Sequence, residues 1–334
     1  MAAAPTRRAV LLWGGGIAVS VVFAWLALRG VDWGEAWRAL HDCNYWWLVP
    51  SLGALLLTIP VKAVRWRYLY HARTRPPLGA ATSALLIGLF FNVILPARAG
   101  EAARVVALNR STGASRSESL ATVVLERVFD VLALLVLLFV AVPWLPHVSW
   151  LRAAAALAIV LAAAVAAAVI LVAVFGERPL RLLLAPVRRL PFVGAARVDA
   201  IVVNATHGLA GIRSVRLALT ASLLTVSAWL LLALSTWLLM KGFDLDLPFL
   251  AGLLVVVAVN LALILPSSPG GLGVFEAATL VALHAYDVPD SRAVSYALVL
   301  HAVNLVPYLV AGLLLLNARA VGSAVRRLGR GRTA

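Results

Sequence analysis

GAATSALLIGLFFNVILPARAGEAARVVAL, residues 79–108, is the stretch on which the fold turns. It opens with a short apolar run, 79–95, that stops at Pro96. Arg98, Glu101 and Arg104 follow, and then Arg110 and Arg116. If the run crosses a bilayer alone, these four arginines and the seven in residues 176–216 fall on the outside. That opposes the preference of Lys and Arg for the inner face. If 79–108 dips in from the inside and returns, and 248–286 dips in from the outside, 23 basic residues lie inside against 5 outside. Charge parity therefore favours two dips, and it fits two pairs of thin crossings equally well.

The bilayer itself follows from composition. Hydrophobic residues make up 63% of the 334-residue chain and charged residues 13%, with a mean hydropathy of +0.97. A soluble domain runs nearer half apolar and a quarter charged. Too little polar surface remains to coat a soluble globule, and several apolar runs are long enough to cross about 30 Å of hydrocarbon. Cys43 is the only cysteine, which excludes a scaffold of intrachain disulfides. The net charge of +15 comes from 27 Arg and 2 Lys against 14 acids. In a soluble protein that excess points to nucleic acid. Here the arginines sit between apolar runs, so they read as inner-face residues touching anionic headgroups, with no nucleic-acid partner.

The other apolar runs are 9–28, 45–64, 120–142, 151–175, 217–240, 248–265 and 293–317. Arg7 and Arg8 give the first run the flank of a signal peptide. It is long, however, and no small-residue cleavage pattern precedes Arg29, so it is expected to stay as a membrane helix. The fold expected is all-α and polytopic: one integral membrane domain over 1–334, with about six full transmembrane helices plus two broken or re-entrant hairpins. Its halves, about 9–142 and 151–318, read as inverted repeats, with 319–334 as a basic cytoplasmic tail. Ile94-Leu95-Pro96 matches Ile264-Leu265-Pro266, Asn92 and Asn260 precede the two prolines, and Gly100-Glu101-Ala102-Ala103 resembles Phe275-Glu276-Ala277-Ala278. Inverted halves with Pro/Gly-interrupted helices at matching positions are a transporter signature. The location expected is a bacterial plasma (inner) membrane. Both termini, 100–116 and 176–216 face the cytoplasm, and 287–292 faces outside.

A broken helix at membrane depth frees backbone groups, which persist only where protein or a water-filled cavity covers them. Residues 96–104 have this character. Glu101 and Arg104 share a helix face, and helix amides with Arg98 nearby suit a phosphate. Read as an alternative, the same arginines are a loop touching lipid headgroups. Glu126-Arg127-x-x-Asp130 lies inside an apolar run, where each ionised group costs about 2.5–3.5 kcal/mol. Arg127 and Asp130 sit at i, i+3 and can pair. Glu126 and Asp130 share a face and repel, so Glu126 needs a partner elsewhere, with Arg98 and Arg104 as candidates. A structural ion-pair network explains these charges as well as a functional one does. Residues 266–276, PSSPGGLGVFE, form the second broken element, whose glycines permit tight turns. The stretch lacks the lysine of a phosphate-binding P-loop. Glu276 is flanked by apolar residues, and His284 and His301 read as core histidines. No Cys/His cluster has metal spacing, and no cofactor is expected.

Taken together, R-W-R at 65–67, N-V-I-L-P-A-R-A-G-E-A-A-R at 92–104, E-R-V-F-D at 126–130 and P-S-S-P-G-G-L-G-V-F-E at 266–276 resemble the lysylphosphatidylglycerol synthase transmembrane-region family, the flippase-like integral membrane proteins. The resemblance covers nearly the whole chain. It implies a helical membrane domain that moves, or helps to move, a lipid between leaflets. Some relatives fuse this domain to a soluble aminoacyltransferase domain. None is found in these 334 residues, so enzymatic lipid aminoacylation is not expected.

The function expected is therefore translocation of an anionic phospholipid or lipid-linked intermediate, without enzymatic chemistry. Arg98, Arg104, Glu101, Asn92, Arg65, Ser267, Gly270 and Gly271 are the candidate headgroup site. Glu126, Arg127, Asp130 and Glu276 are the candidate charge network or coupling groups. Two other expectations compete with it. One is a membrane-embedded transferase acting on a lipid substrate. The other is a non-catalytic partner of an envelope-lipid or glycan synthesis complex, for instance beside a glycosyltransferase.

Overall fold

A computed structural model describes residues 7–29, 31–95, 99–144, 160, 215–264 and 267–330. Every regular element among them is helical. The α-helices are α1 (Arg7–Leu28), α2 (Trp33–His41), α3 (Leu48–Tyr68), α4 (Leu78–Ile94), α5 (Gly100–Thr112), α6 (Arg116–Ala141), α7 (Val215–Gly242), α8 (Phe249–Ala262), α9 (Val274–His284) and α10 (Asp290–Arg330). Three segments, Tyr45–Tyr68, Arg216–Gly242 and Asp290–Asn317, are long and apolar enough to cross a membrane. α6 has the length but carries Glu126, Arg127 and Asp130 on its way. The run at 151–175 and the connector to 214 lie, Val160 apart, outside the described residues, so the pairing of the two halves rests on the sequence there.

The helix ends sort into two groups. At one end, the Asn44 N–H donates to the Gly242 carbonyl at 2.8 Å, tying the start of α3 to the end of α7. α2 lies at this end. The sequence pattern left it between apolar runs, but it is a helix of its own, capped by the Asp32 carboxylate on the amides of Gly34 and Glu35. Trp33, Trp37, Trp46 and Trp144 are exposed here, as aromatic residues are at a membrane–water boundary. Burial, and next the nearby Asp244, pushes the Cys43 thiol up to about 11. At the opposite end, Thr74 donates to Glu118, Arg67 to the Pro76 carbonyl, and Arg116 to the Asn109 side chain, joining the turns around α4, α5 and α6.

Two short helix pairs penetrate from these opposite ends. α4 and α5 start and finish where α3 ends and α6 begins. Their backbones touch, because a Cβ on Gly100 would lie 1.9 Å from the Gly88 carbonyl oxygen. Only glycine permits that approach. α8 and α9 start and finish where α7 ends and α10 begins. Their connection turns through Gly270, Gly271 and Gly273, with φ of 71°, 75° and 84°, a region that costs other residues about 1–2 kcal/mol. The two tips meet: Gly270 lies against the Val93 carbonyl and Leu305. One large apolar core, running from Ala27 through Leu134 and Val256 to Tyr308, packs α8–α10 and the end where α2 lies, the outer end in the topology that the basic residues predict. A smaller one around Trp66, Ile87 and Leu108 packs the first pair.

Candidate functional site

α3 presents Arg65 because the last turns of this apolar helix face α6, where Glu126 and Asp130 sit one turn apart. Arg65 is 1% exposed. One guanidinium nitrogen lies 2.5 Å from Asp130 Oδ1 and 3.0 Å from Thr225 Oγ1 of α7, and the other lies 2.8 Å from Glu126 Oε1. Arg104 of α5 meets Glu126 at 3.1 Å and stacks 4.8 Å over Trp66, whose indole N–H donates to Thr122. Arg127 spans Glu101 and Asp130, at 3.3 Å each, with a side chain 40% exposed. Three helices are thus tied by charge, and α7 by the Thr225 hydroxyl, in a place where unpaired charge is costly.

The ties are incomplete. Four cations, Lys62, Arg65, Arg104 and Arg127, face a chamber of about 170 Å³ with three carboxylates, Glu101, Glu126 and Asp130. One positive charge is in excess. Lys62 has no ion-pair partner among the described residues; its ammonium sits 5.8 Å from the Trp229 ring. The Nε donors of Arg65 and Arg104 and the indole N–H of Trp229 are buried without an acceptor. Buried donors normally find one, so the described lining of this chamber leaves one cation and three donors without an acceptor.

Lys62, Leu89, Asn92, Trp229 and Asn260 form the common wall with a second, larger cavity of about 520 Å³. Its lining is mostly apolar, through Val93, Leu232, Leu263 and Leu305, with Ser267, Gly270, Gly271, His301 and Asn304 among the polar exceptions. His301 stacks on Phe275 with centroids 4.2 Å apart and bonds Glu276.

The structure brings Arg65, Glu101, Arg104, Glu126, Arg127 and Asp130 into the first chamber. Ser267, Gly270 and Gly271 fall in the second, and Asn92 on the wall between, its amide oxygen buried and unpaired. Of the partners foreseen for Glu126, Arg104 is found. Arg98 lies outside the described residues. Glu276, grouped by sequence with the charges of α6, stands apart from them and caps its own helix, accepting the Gly273 N–H at 2.7 Å. Sequence reasoning missed Lys62, Trp229, His301 and Asn304. The spacing of His301 and Asn304 was an available signal, since it puts two polar side chains on one face of an apolar helix.

The family model for the lysylphosphatidylglycerol synthase TM region matches residues 13–312. Three archaeal proteins are similar over long stretches. A UPF0104 membrane protein, MJ1078, of Methanocaldococcus jannaschii is 27% identical over 61% of this chain and 83% of its own length. Another UPF0104 membrane protein, of Methanothermobacter thermautotrophicus, is 25% identical over 78% of this chain and 80% of its own. The Glycosyltransferase AglD of Haloferax volcanii is 27% identical over 92% of this chain, which spans only 54% of that protein. With nine-tenths of its length matched, the chain belongs to the lysylphosphatidylglycerol synthase TM region family.

Proposed function

We propose that this member of the family moves an anionic lipid between leaflets, without altering it, through the two joined cavities. The observation that carries the reading is the excess positive charge and its orphaned donors, separated by a shared wall from a mostly apolar cavity. A phosphate headgroup would take Lys62 and the free Nε donors of Arg65 and Arg104, as charge-assisted hydrogen bonds favour. The apolar walls would tolerate the first acyl carbons. Helix pairs entering from opposite ends, with their breaks in contact, suit inverted halves in which substrate binds at the breaks near the midplane. In this reading the turns joining α3 to α6 face the cytoplasm, as the basic residues demand, and both termini lie on that side.

The test uses vesicles of phosphatidylcholine containing a headgroup-labelled anionic lipid and an added quencher. Protein should raise the fraction quenched above that in empty vesicles, and Lys62→Ala should return it toward background at unchanged Tm. If wild type matches empty vesicles across phospholipids and polyprenyl phosphates, translocation is wrong. The name of the Haloferax relative favours a second reading, in which a lipid-linked sugar is the substrate, either moved or modified. Mass analysis separates the two: transfer changes the mass of the lipid, and movement does not.

A further inference from the structure

His301 is 3% exposed and Glu276 7%, and both ring nitrogens of His301 face oxygens. Nδ1 lies 2.6 Å from Glu276 Oε1, and Nε2 lies 2.9 Å from the Gly270 carbonyl. A carbonyl only accepts, so Nε2 must carry a hydrogen. The Nδ1–Oε1 contact also needs a hydrogen between its atoms, because at hydrogen-bond distance two lone pairs repel. A neutral imidazole beside an ionised carboxylate supplies only one hydrogen for the two contacts. The geometry is that of a pair holding one proton more, as imidazolium with carboxylate or as imidazole with carboxylic acid. Both forms are net neutral, which is what burial favours.

The loop at 267–273 hangs on this pair. His301 holds the Gly270 carbonyl, Glu276 holds the Gly273 amide, and the Ser20 hydroxyl accepts the Ser268 amide. When the proton leaves through the larger cavity, which His301 lines, the pair becomes imidazole plus carboxylate with one negative charge. One ring nitrogen must then turn a lone pair toward Gly270 or Glu276, and that contact breaks. Gly270 is also where this loop meets Val93 of the other helix pair, so a break on the Gly270 side would part the two tips.

Among the described residues that line this cavity, Lys62 is the one other charged group. α9 supplies only Glu276 to His301, and His284, at the far end of α9, pairs with Asp290. Lys62 of α3 and Tyr308 of α10 share the cavity. α4, α7 and α8 give it Asn92, Trp229 and Asn260, and the described side chains of α1 against α9 are uncharged. α2 meets α10 at Ser295, while its Glu35 and Arg38 line a separate chamber at the outer end.

We propose that Glu276 and His301 are a proton-binding site that latches the 267–273 loop, and that the proton taken up and released there is the ion coupled to headgroup movement. The coupling rests on the transport reading above; the latch does not. Ser267→Cys in a Cys43→Ser background reports the loop through its rate of reaction with a water-soluble thiosulfonate, divided by the thiolate fraction at each pH. The corrected rate should climb with pH, by up to about tenfold per unit while one proton leaves. Glu276→Gln keeps both contacts, its amide donating to Nδ1 and its oxygen accepting Gly273, so it should be slow and flat. His301→Gln should also be flat, and it serves if Glu276→Gln fails to fold. A flat wild-type rate, or a wild-type slope in either variant, overturns the latch. The second arm uses phosphatidylcholine vesicles with headgroup-labelled phosphatidylglycerol and a trapped pH dye. Lipid movement should carry a pH change that Glu276→Gln loses. Lipid movement with no pH change overturns coupling alone. A pH-dependent loop with no lipid movement overturns transport and coupling and leaves the latch standing.

Discussion

The two interrupted helix pairs solve one problem in different ways. At the tip of α4–α5 the charge is fixed: the arginines stay ionised at any physiological pH, and Glu126 and Asp130 are held by Arg65 and Arg104. At the tip of α8–α9 the charge is conditional. A glycine-rich turn is pinned by a carboxylate and an imidazole, the side chain that titrates nearest neutrality. In the proposed function, the difference separates holding an anion from deciding when to release it.

The largest effect expected belongs to the fixed side. Glu126→Leu strands Arg104, 3% exposed, and leaves Arg65 with Asp130 as its carboxylate, and a stranded buried charge typically costs about 3–5 kcal/mol. Loss of the monodisperse peak in detergent chromatography is expected; a folded, wild-type-stable Glu126→Leu would show that the network is solvated. Arg65 also holds Asp130, so removing Arg127 and Asp130 together should still destabilise. A neutral double variant would mean that Arg127 alone holds Asp130.

Gly100→Ala and Gly270→Ala compare the tips directly. The first forces a Cβ into the Gly88 carbonyl, while the second finds 3.7 Å of room and meets only its positive φ. Overpacking costs about 1–3 kcal/mol or more, against about 1–2 for the backbone. Thermal melts should rank Gly100→Ala as the worse, and the reverse order would mean that α4 and α5 are not in backbone contact. A smaller, purely functional effect is expected at Lys62. Losing one charge-assisted contact, worth about 1.5–3 kcal/mol, should slow lipid movement about tenfold or more without shifting Tm. An unchanged rate would remove Lys62 from the site. The smallest is at Cys43. With its thiol pushed up to about 11, native protein at neutral pH should alkylate far more slowly than denatured protein. A fast native reaction would show that the outer end opens.

The long runs were legible because a bilayer demands them, and both interruptions were legible because Pro96 and the glycines after Pro266 cannot continue a helix. Glu126, Arg127 and Asp130 stood out against an apolar background. What stayed hidden depends on distance in the chain. Arg65 was a candidate for the headgroup and Lys62 was not, and nothing local says that Arg65 reaches 61 residues ahead to Glu126. Likewise Glu276 and His301 are 25 residues apart, a separation with no periodic signature. α2 was hidden because nine residues are too few for a hydropathy window, although the Asp32 cap marks its start.

The clamp between Arg65 and α6 has a consequence for how the protein is made. α3 leaves the ribosome carrying Lys62 and Arg65 before either acidic partner of Arg65 exists. On insertion scales a charge at a helix centre opposes entry by about 2.5–3.5 kcal/mol, and one in the last turn, where Arg65 lies, opposes it by less. α6 meets the mirror-image difficulty with Glu126 and Asp130, and the clamp resolves both at once. Order of synthesis and order of stable membrane entry are therefore expected to part company here, with α3 settling only once α6 arrives. A chain cut before Arg116 is expected to leave α3 extractable by alkaline carbonate, and one extended through Ala141 to resist extraction.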